Sequence, residues 1–232
     1  ITELGTRMRR RKHVGIDVAE LVDEHGRAFP ALVKAKALDG EVLTALGALA
    51  ALLGPDLALS WRVNEAHLGF IGLHTRELGL AQFAHPALDA VRPRLFGTWD
   101  DPVREIAVLV TEFVTDVRLR DRADDAGAWT GDDIDVALRG IAGVHAAFLD
   151  DADRFAAADW FGPIPTVDDH VGAAAMYRDV VAHAAIEYPD WFGPERCERW
   201  ARLIETHGAS RRRAERRPHT LVHHDFNSRN AA

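Results

Sequence analysis

Thr220-Leu-Val-His-His-Asp-Phe-Asn-Ser-Arg-Asn-Ala-Ala232 closes the chain, and its reading decides how everything upstream is arranged. An apolar pair, Leu221 and Val222, runs into His223-x-Asp225, and Asn230 follows after a four-residue spacer. This H-x-D-x-x-x-x-N spacing suits a loop that handles a phosphoryl group. A carboxylate at the first position accepts the proton of an attacking hydroxyl, and Asp225 supplies one. An uncharged amide oxygen at the second can ligate Mg²⁺ beside phosphates, and Asn230 supplies that. The short spacer turns the loop back so that both side chains face one group. The competing reading of the string alone is an Asx turn, because Asp and Asn favour turns through side-chain to backbone hydrogen bonds.

The wider stretch, residues 221–230, resembles the Brenner-type motif of the aminoglycoside phosphotransferase and choline kinase-like family. The Asp225-Phe-Asn-x-Arg-Asn230 run is especially similar to that family's small-molecule kinases. It departs at His224, where the family most often has Gly or another small or polar residue. The resemblance implies an α+β, protein kinase-like two-lobed fold. A small mixed β N-lobe with inserted helices would cover residues 1–113, and a mainly helical C-lobe, ending in the catalytic loop, residues 114–232. It implies ATP and Mg²⁺ as cofactors and transfer of the γ-phosphate to a hydroxyl of a small molecule. In that scheme Asp225 is the base or hydroxyl positioner, Asn230 a magnesium ligand, and His223 a hydrogen-bonded brace of the loop. The rival expectation, of a different class, is a kinase-like nucleotide- or ligand-binding module without catalysis.

Composition sets outer bounds. With 232 residues, 47% hydrophobic and 28% charged, the chain has ordinary globular composition and enough length for one large domain or two lobes. A net charge of −8 argues against a general nucleic-acid binder. The single cysteine, Cys197, cannot form an internal disulfide, which points to a reducing, cytoplasmic setting. The most apolar window, residues 42–53, is too short to span a bilayer, so no membrane partner is expected. Oligomeric state is not legible. The chain starts at Ile1 without methionine and ends two residues after Asn230, as a piece of a longer reading frame would. A second metal ligand is then expected beyond Ala232, and residues 1–232 alone are expected to be inactive.

Upstream, residues 14–22 alternate as a strand, His25-Gly26 reads as a hairpin turn, and residues 29–33 resume a strand. Lys34 ends that strand, and Lys36 shares its face. The resemblance assigns the phosphate-clamping lysine to Lys34, with Lys36 as runner-up; a pair of solvated lysines is the plain alternative. No G-x-G-x-x-G is present; Gly5 and Gly15 flank a basic run that could serve phosphates or merely protect a strand edge. Residues 39–53 read as a helix stopped by Gly54-Pro55, and residues 70–83 as another. Arg76-Glu77-Leu78 resembles the family's helix whose glutamate orients the lysine, giving Glu77, with Glu41 as rival. Residues 92–98 read as a strand, Trp99 to Pro102 as a turn, and residues 106–113 as a buried strand. In the resemblance that strand leads to the hinge, where the backbone of Glu112, Phe113 and Val114 meets the adenine edge.

The remainder reads as helices. One starts at the capping box Thr130-x-x-Asp133 and presents Ile134, Leu138, Ile141, His145 and Phe148 on one face. A second starts at Thr166-x-x-Asp169 and carries Val171, Ala174, Ala175, Val181 and Ile186; a third runs from Pro194 to a glycine stop at Gly208. His145 reads as a packed core histidine and Cys197 as packing. The histidines lack zinc-site spacing, and the arginine clusters at 9–11 and 211–217 lack the interleaved aromatics of a single-strand binder.

Overall fold

Alternating apolar residues fold the first part of the chain into a hairpin. Strands β1 (Gly15–Val22) and β2 (Ala28–Ala35) pair antiparallel. The turn is fixed by Asp23, whose carboxylate accepts the N–H groups of His25 and Arg27, both at 2.9 Å. Gly26 takes the left-handed conformation the turn needs, at φ 77°. The computed structural model describes residues 14–115, 129–223 and 226. Two further strands, β3 (Leu95–Asp101) and β4 (Ile106–Glu112), complete a four-stranded antiparallel sheet of order β1-β2-β4-β3. The fold is therefore mixed α/β, and the sheet is antiparallel throughout its described strands.

The turn expected at Trp99 to Pro102 lies further on. Strand β3 continues through Asp101, with Trp99 opposite Val108 and Asp100 opposite Ala107. Asp101 opens the turn instead, its carboxylate accepting the Arg104 N–H at 2.9 Å. At the sheet's centre Ala31 is 0% exposed and Ala107 1% exposed. Their register places them on opposite faces, so both faces are covered there.

By internal contacts the chain divides into two units: Ile1–Lys36, Leu78–Ala158 and Pro218–Ala232 form one, Ala37–Glu77 and Asp159–Arg217 the other. The lobe boundary expected near residue 114 falls just before the undescribed residues 116–128 and remains an expectation.

The helical part of the first unit gathers on aromatic rings. Helix α3 (Leu73–Gln82) enters it through its last turns, followed by α4 (Pro86–Asp89), α5 (Gly131–Ala147) and α6 (Ala152–Ala156). Phe148 is fully buried, with Phe155 at 5.3 Å, Phe83 at 6.2 Å and the His85 ring at 4.5 Å between ring centroids. Arg92 closes the end of α3, donating to the carbonyls of Leu80 at 2.7 Å and Phe83 at 2.9 Å. A cation suits that negative helix end. Helix α5 begins at its expected capping box, with the Asp133 carboxylate 2.9 Å from the Thr130 N–H. The apolar stripe drawn for it holds only at its C-terminal end: Phe148 is buried and Ile141 half-buried, whereas Ile134 and Leu138 are 46% and 53% exposed. Only the last turns reach the aromatic cluster.

The second unit is helical: α1 (Asp39–Leu53), α2 (Pro55–Asn64), α7 (Val167–Gly172), α8 (Ala174–Glu187) and α9 (Pro194–Ala214). Two expectations change here. The helix starting at Thr166 breaks at Ala173 into α7 and α8, after Gly172, a poor helix former. Gly208 does not stop α9, which runs on to Ala214. It instead lets α9 approach α7: a Cβ at Gly208 would lie 2.6 Å from Val171 Cγ2. Among the described residues no helix is long and apolar enough to cross a membrane.

Truncating Phe148 to Ala removes the only large side chain fully buried among the described residues. It should cost about 3–5 kcal/mol of unfolding free energy. Denaturant unfolding followed by tryptophan fluorescence measures it.

Candidate functional site

Lys34 lies in β2, half-buried, directly opposite Leu109 of β4 on one side and Ile16 of β1 on the other. Leu109 in turn faces Thr98 of β3. Directly opposed residues in an antiparallel ladder share a face, so Ile16, Lys34, Leu109 and Thr98 form one row across the sheet. The next row on that face carries Val18 opposite Leu32, and Leu32 opposite Thr111. Ile16 and Val18 are 49% and 56% exposed, so the lysine's face is apolar and open beside it. Their role escapes a reading by alternation alone. Ile16 and Val18 occupy one parity of β1, Ala19 and Leu21 the other, and only the latter pair is half-buried.

From Leu109, strand β4 runs on to Glu112, the first of the residues expected at the hinge. Glu112 lies three positions on, roughly 10 Å along the strand. Its N–H goes to the Arg94 carbonyl at 2.8 Å and its carboxylate accepts the Arg94 N–H at 3.3 Å, which ends the ladder. Phe113 and Val114 follow, the former 37% exposed. They lie just past the last pair of the β2–β4 ladder, Ala31 opposite Glu112. Lys34 and Glu112 thus belong to two paired strands, with Phe113 and Val114 just past the end of the second.

The other assigned residues are placed less completely. Glu77 is half-buried in α3, whose last residue, Gln82, donates to Thr98 Oγ1 in the Lys34 row. In the contact grouping Glu77 belongs to the other unit. The rival Glu41 turns back on its own helix and accepts the Leu38 N–H at 2.8 Å. The rival Lys36 sits past the end of β2, its N–H donated to the Ala107 carbonyl at 2.8 Å. Asp225 and Asn230 lie outside the described residues. Among those described, no group of three or more His, Cys, Asp or Glu could hold a metal ion.

The approach to the loop is anchored at the end of α5. The Asp150 N–H donates to the His219 carbonyl at 2.7 Å, with Asp150 at φ 61°. Thr220 Oγ1 donates to the His145 carbonyl at 2.6 Å. His145 was expected as a packed ring; it is half-buried, and its carbonyl is what holds Thr220. His223 is exposed, its ring 6.3 Å from that of Phe226.

One dyad in the helical unit was not foreseen. Asp39, at the start of α1, accepts the Gly72 N–H at 2.5 Å and meets His74 Nδ1 at 2.9 Å. Burial pushes the Asp39 carboxyl up, but the Gly72 hydrogen bond and the His74 ring outweigh it and hold the group below its ordinary 3.8. An ionised carboxylate only accepts, so the His74 proton sits on Nδ1. Asp39 and His74 lie far apart in the sequence, and only the meeting of two helix starts brings them together.

Comparison with known protein families, with curated proteins and with solved structures finds no match for this chain.

Asp39→Ala should destabilise the chain by about 1–3 kcal/mol near neutral pH, because the Gly72 N–H loses its acceptor. The sign with pH follows from the depressed carboxyl. Its stabilisation is present above 3.8 and is lost as pH falls through the lower folded-state value. Thermal unfolding across that acid range should show a slope in the parent chain that the variant lacks.

Proposed function

We propose that the chain belongs to an ATP- and Mg²⁺-dependent phosphotransferase that moves the γ-phosphoryl group to a hydroxyl of a small molecule, as the aminoglycoside and choline kinase-like family does. The observation that carries this reading is the pairing of β2 with β4. It sets Lys34 on one face beside a strand that leads directly into residues 112–114. Roughly 10 Å between these points suits a nucleotide, with its base at one end and its phosphates at the other.

In this reading Lys34 holds the phosphates and Glu77 orients Lys34. The backbone of residues 112–114 meets the adenine edge, while Ile16 and Val18 cover the base from the lysine's face. Asp225 takes the proton of the acceptor hydroxyl as its oxygen bonds to the γ-phosphorus and the bond to the departing ADP breaks. Asn230 offers a magnesium ligand, and His223 braces the loop. Bound Mg²⁺ supplies neutralisation of the developing phosphate charge. Positioning and electrostatics carry the chemistry, so few groups are needed. The non-catalytic alternative draws on one observation, the lack of a G-x-G-x-x-G before β2.

Calorimetry with ATP–Mg²⁺ and an ADP-release assay over a panel of small hydroxyl compounds test the reading. Lys34→Met should weaken nucleotide binding by about 1.5–3 kcal/mol, a charge-assisted hydrogen bond's worth. Unchanged affinity would remove Lys34 from the site. In a chain that carries both metal ligands, Asp225→Asn should abolish ADP release while leaving nucleotide affinity nearly intact, since Asp225 touches the acceptor. Nucleotide binding without ADP release, in a chain that carries both metal ligands, supports the binding-module alternative.

A further inference from the structure

Where α7 meets α9 in the helical unit, three basic side chains converge. The rings of His170 and His207 stand edge to face, 5.2 Å apart and 76° inclined. Arg211 Nη2 lies 3.1 Å from His170 Nε2. A guanidinium can only donate, so that ring nitrogen presents a lone pair and His170 is neutral, protonated at Nδ1. The two helices are closely packed here, with Gly208 against Val171 and no room for a Cβ. His207 Nε2 is itself buried without a hydrogen-bond partner among the described residues.

The other charged and titratable groups here are few. On α7, Asp169 is committed to Thr166 and to His67 Nδ1 at 2.6 Å, and Asp168 lies 3.8 Å from Arg212 of α9. On α8, burial pushes the Tyr177 phenol up, so it stays neutral. Asp169 is the one group that favours a charged His170, against Arg211 and His207.

We propose that this crossing is an acid-sensitive latch, in which protonation of His170 forfeits the Arg211 hydrogen bond, sets a second cation against the guanidinium and loosens α7 from α9. Burial, then Arg211 and His207, hold His170 below the ordinary histidine value of 6.5. Below 6.5 the unfolded chain therefore gains a proton that the folded one resists. The latch is fully closed above 6.5 and is lost as pH falls through the depressed folded value.

Hydrogen exchange on the full chain, corrected for intrinsic rates, tests this at about pH 7.5 and about pH 5.5, either side of ordinary histidine titration. Acidification should lower protection severalfold in residues 167–172 and 201–214. His170→Gln keeps an acceptor for Arg211 but cannot charge, and it should abolish that response; His207→Gln should retain it. The same response in His170→Gln as in the parent chain overturns the proposal. Ring-proton NMR of the unsubstituted chain gives a second readout: a His170 midpoint at or above 6.5 also overturns it, and Arg211→Gln should shift that midpoint upward.

Discussion

The register of β2 against β4 is the constraint on which the sheet depends. It joins segments far apart in the sequence, Ala31 opposite Glu112 and Ala35 opposite Val108, with helices and β3 in the interval. Loop-closure entropy rises only slowly with loop length, so the intervening chain is tolerable, but the register must be specified. Small residues specify it. Ala31 and Ala107 are buried on opposite faces, where larger side chains would hold the covering layers away. A slip by one residue would carry Lys34 to the other face and leave Val33 in its place, so the candidate site and the core are set by one choice.

Much of this was legible because local chemistry and global packing agree. The turn at His25-Gly26, the capping boxes at Thr130 and Thr166, and β4 as a continuous apolar run all appear as read. The strand carrying Lys34 was legible, although β2 runs one residue past it, to Ala35. Helix α2 was not, because Gly54-Pro55 was taken as a stop, whereas a proline also starts helices well, as Pro55 does here. Gly208 was misread for a related reason. Glycine serves equally as a helix terminus and as a point of close approach, and only the position of Val171 decides between them. The Asp39–His74 dyad had no sequence signal, since neither residue's neighbourhood names the other.

Asp39 also shows how one carboxylate can organise a helical unit. It stands in the first turn of α1 and accepts the N–H of Gly72, the residue before α3. Both helix starts carry partial positive charge, and one anion satisfies both. Ser60 of α2, bonded to Asp179 of α8, makes a second such tie between elements distant in sequence. These polar links matter because α1 contributes no fully buried side chain of its own.

The irregularity between Leu95 and Gly97 in the outer strand β3 carries a consequence for the protein's behaviour in concentrated solution. An outer strand offers unpaired backbone groups to any passing strand, and a flat, apolar one invites fibrous stacking. Here the bulge breaks the ladder's regular spacing, and the Phe96 ring is drawn onto Phe29, 5.1 Å away. Further along, Asp100 and Asp101 put like charges on the strand's last residues, which two copies meeting edge to edge would have to bring together. Strand β3 thus resists edge-to-edge joining along its own side of the sheet.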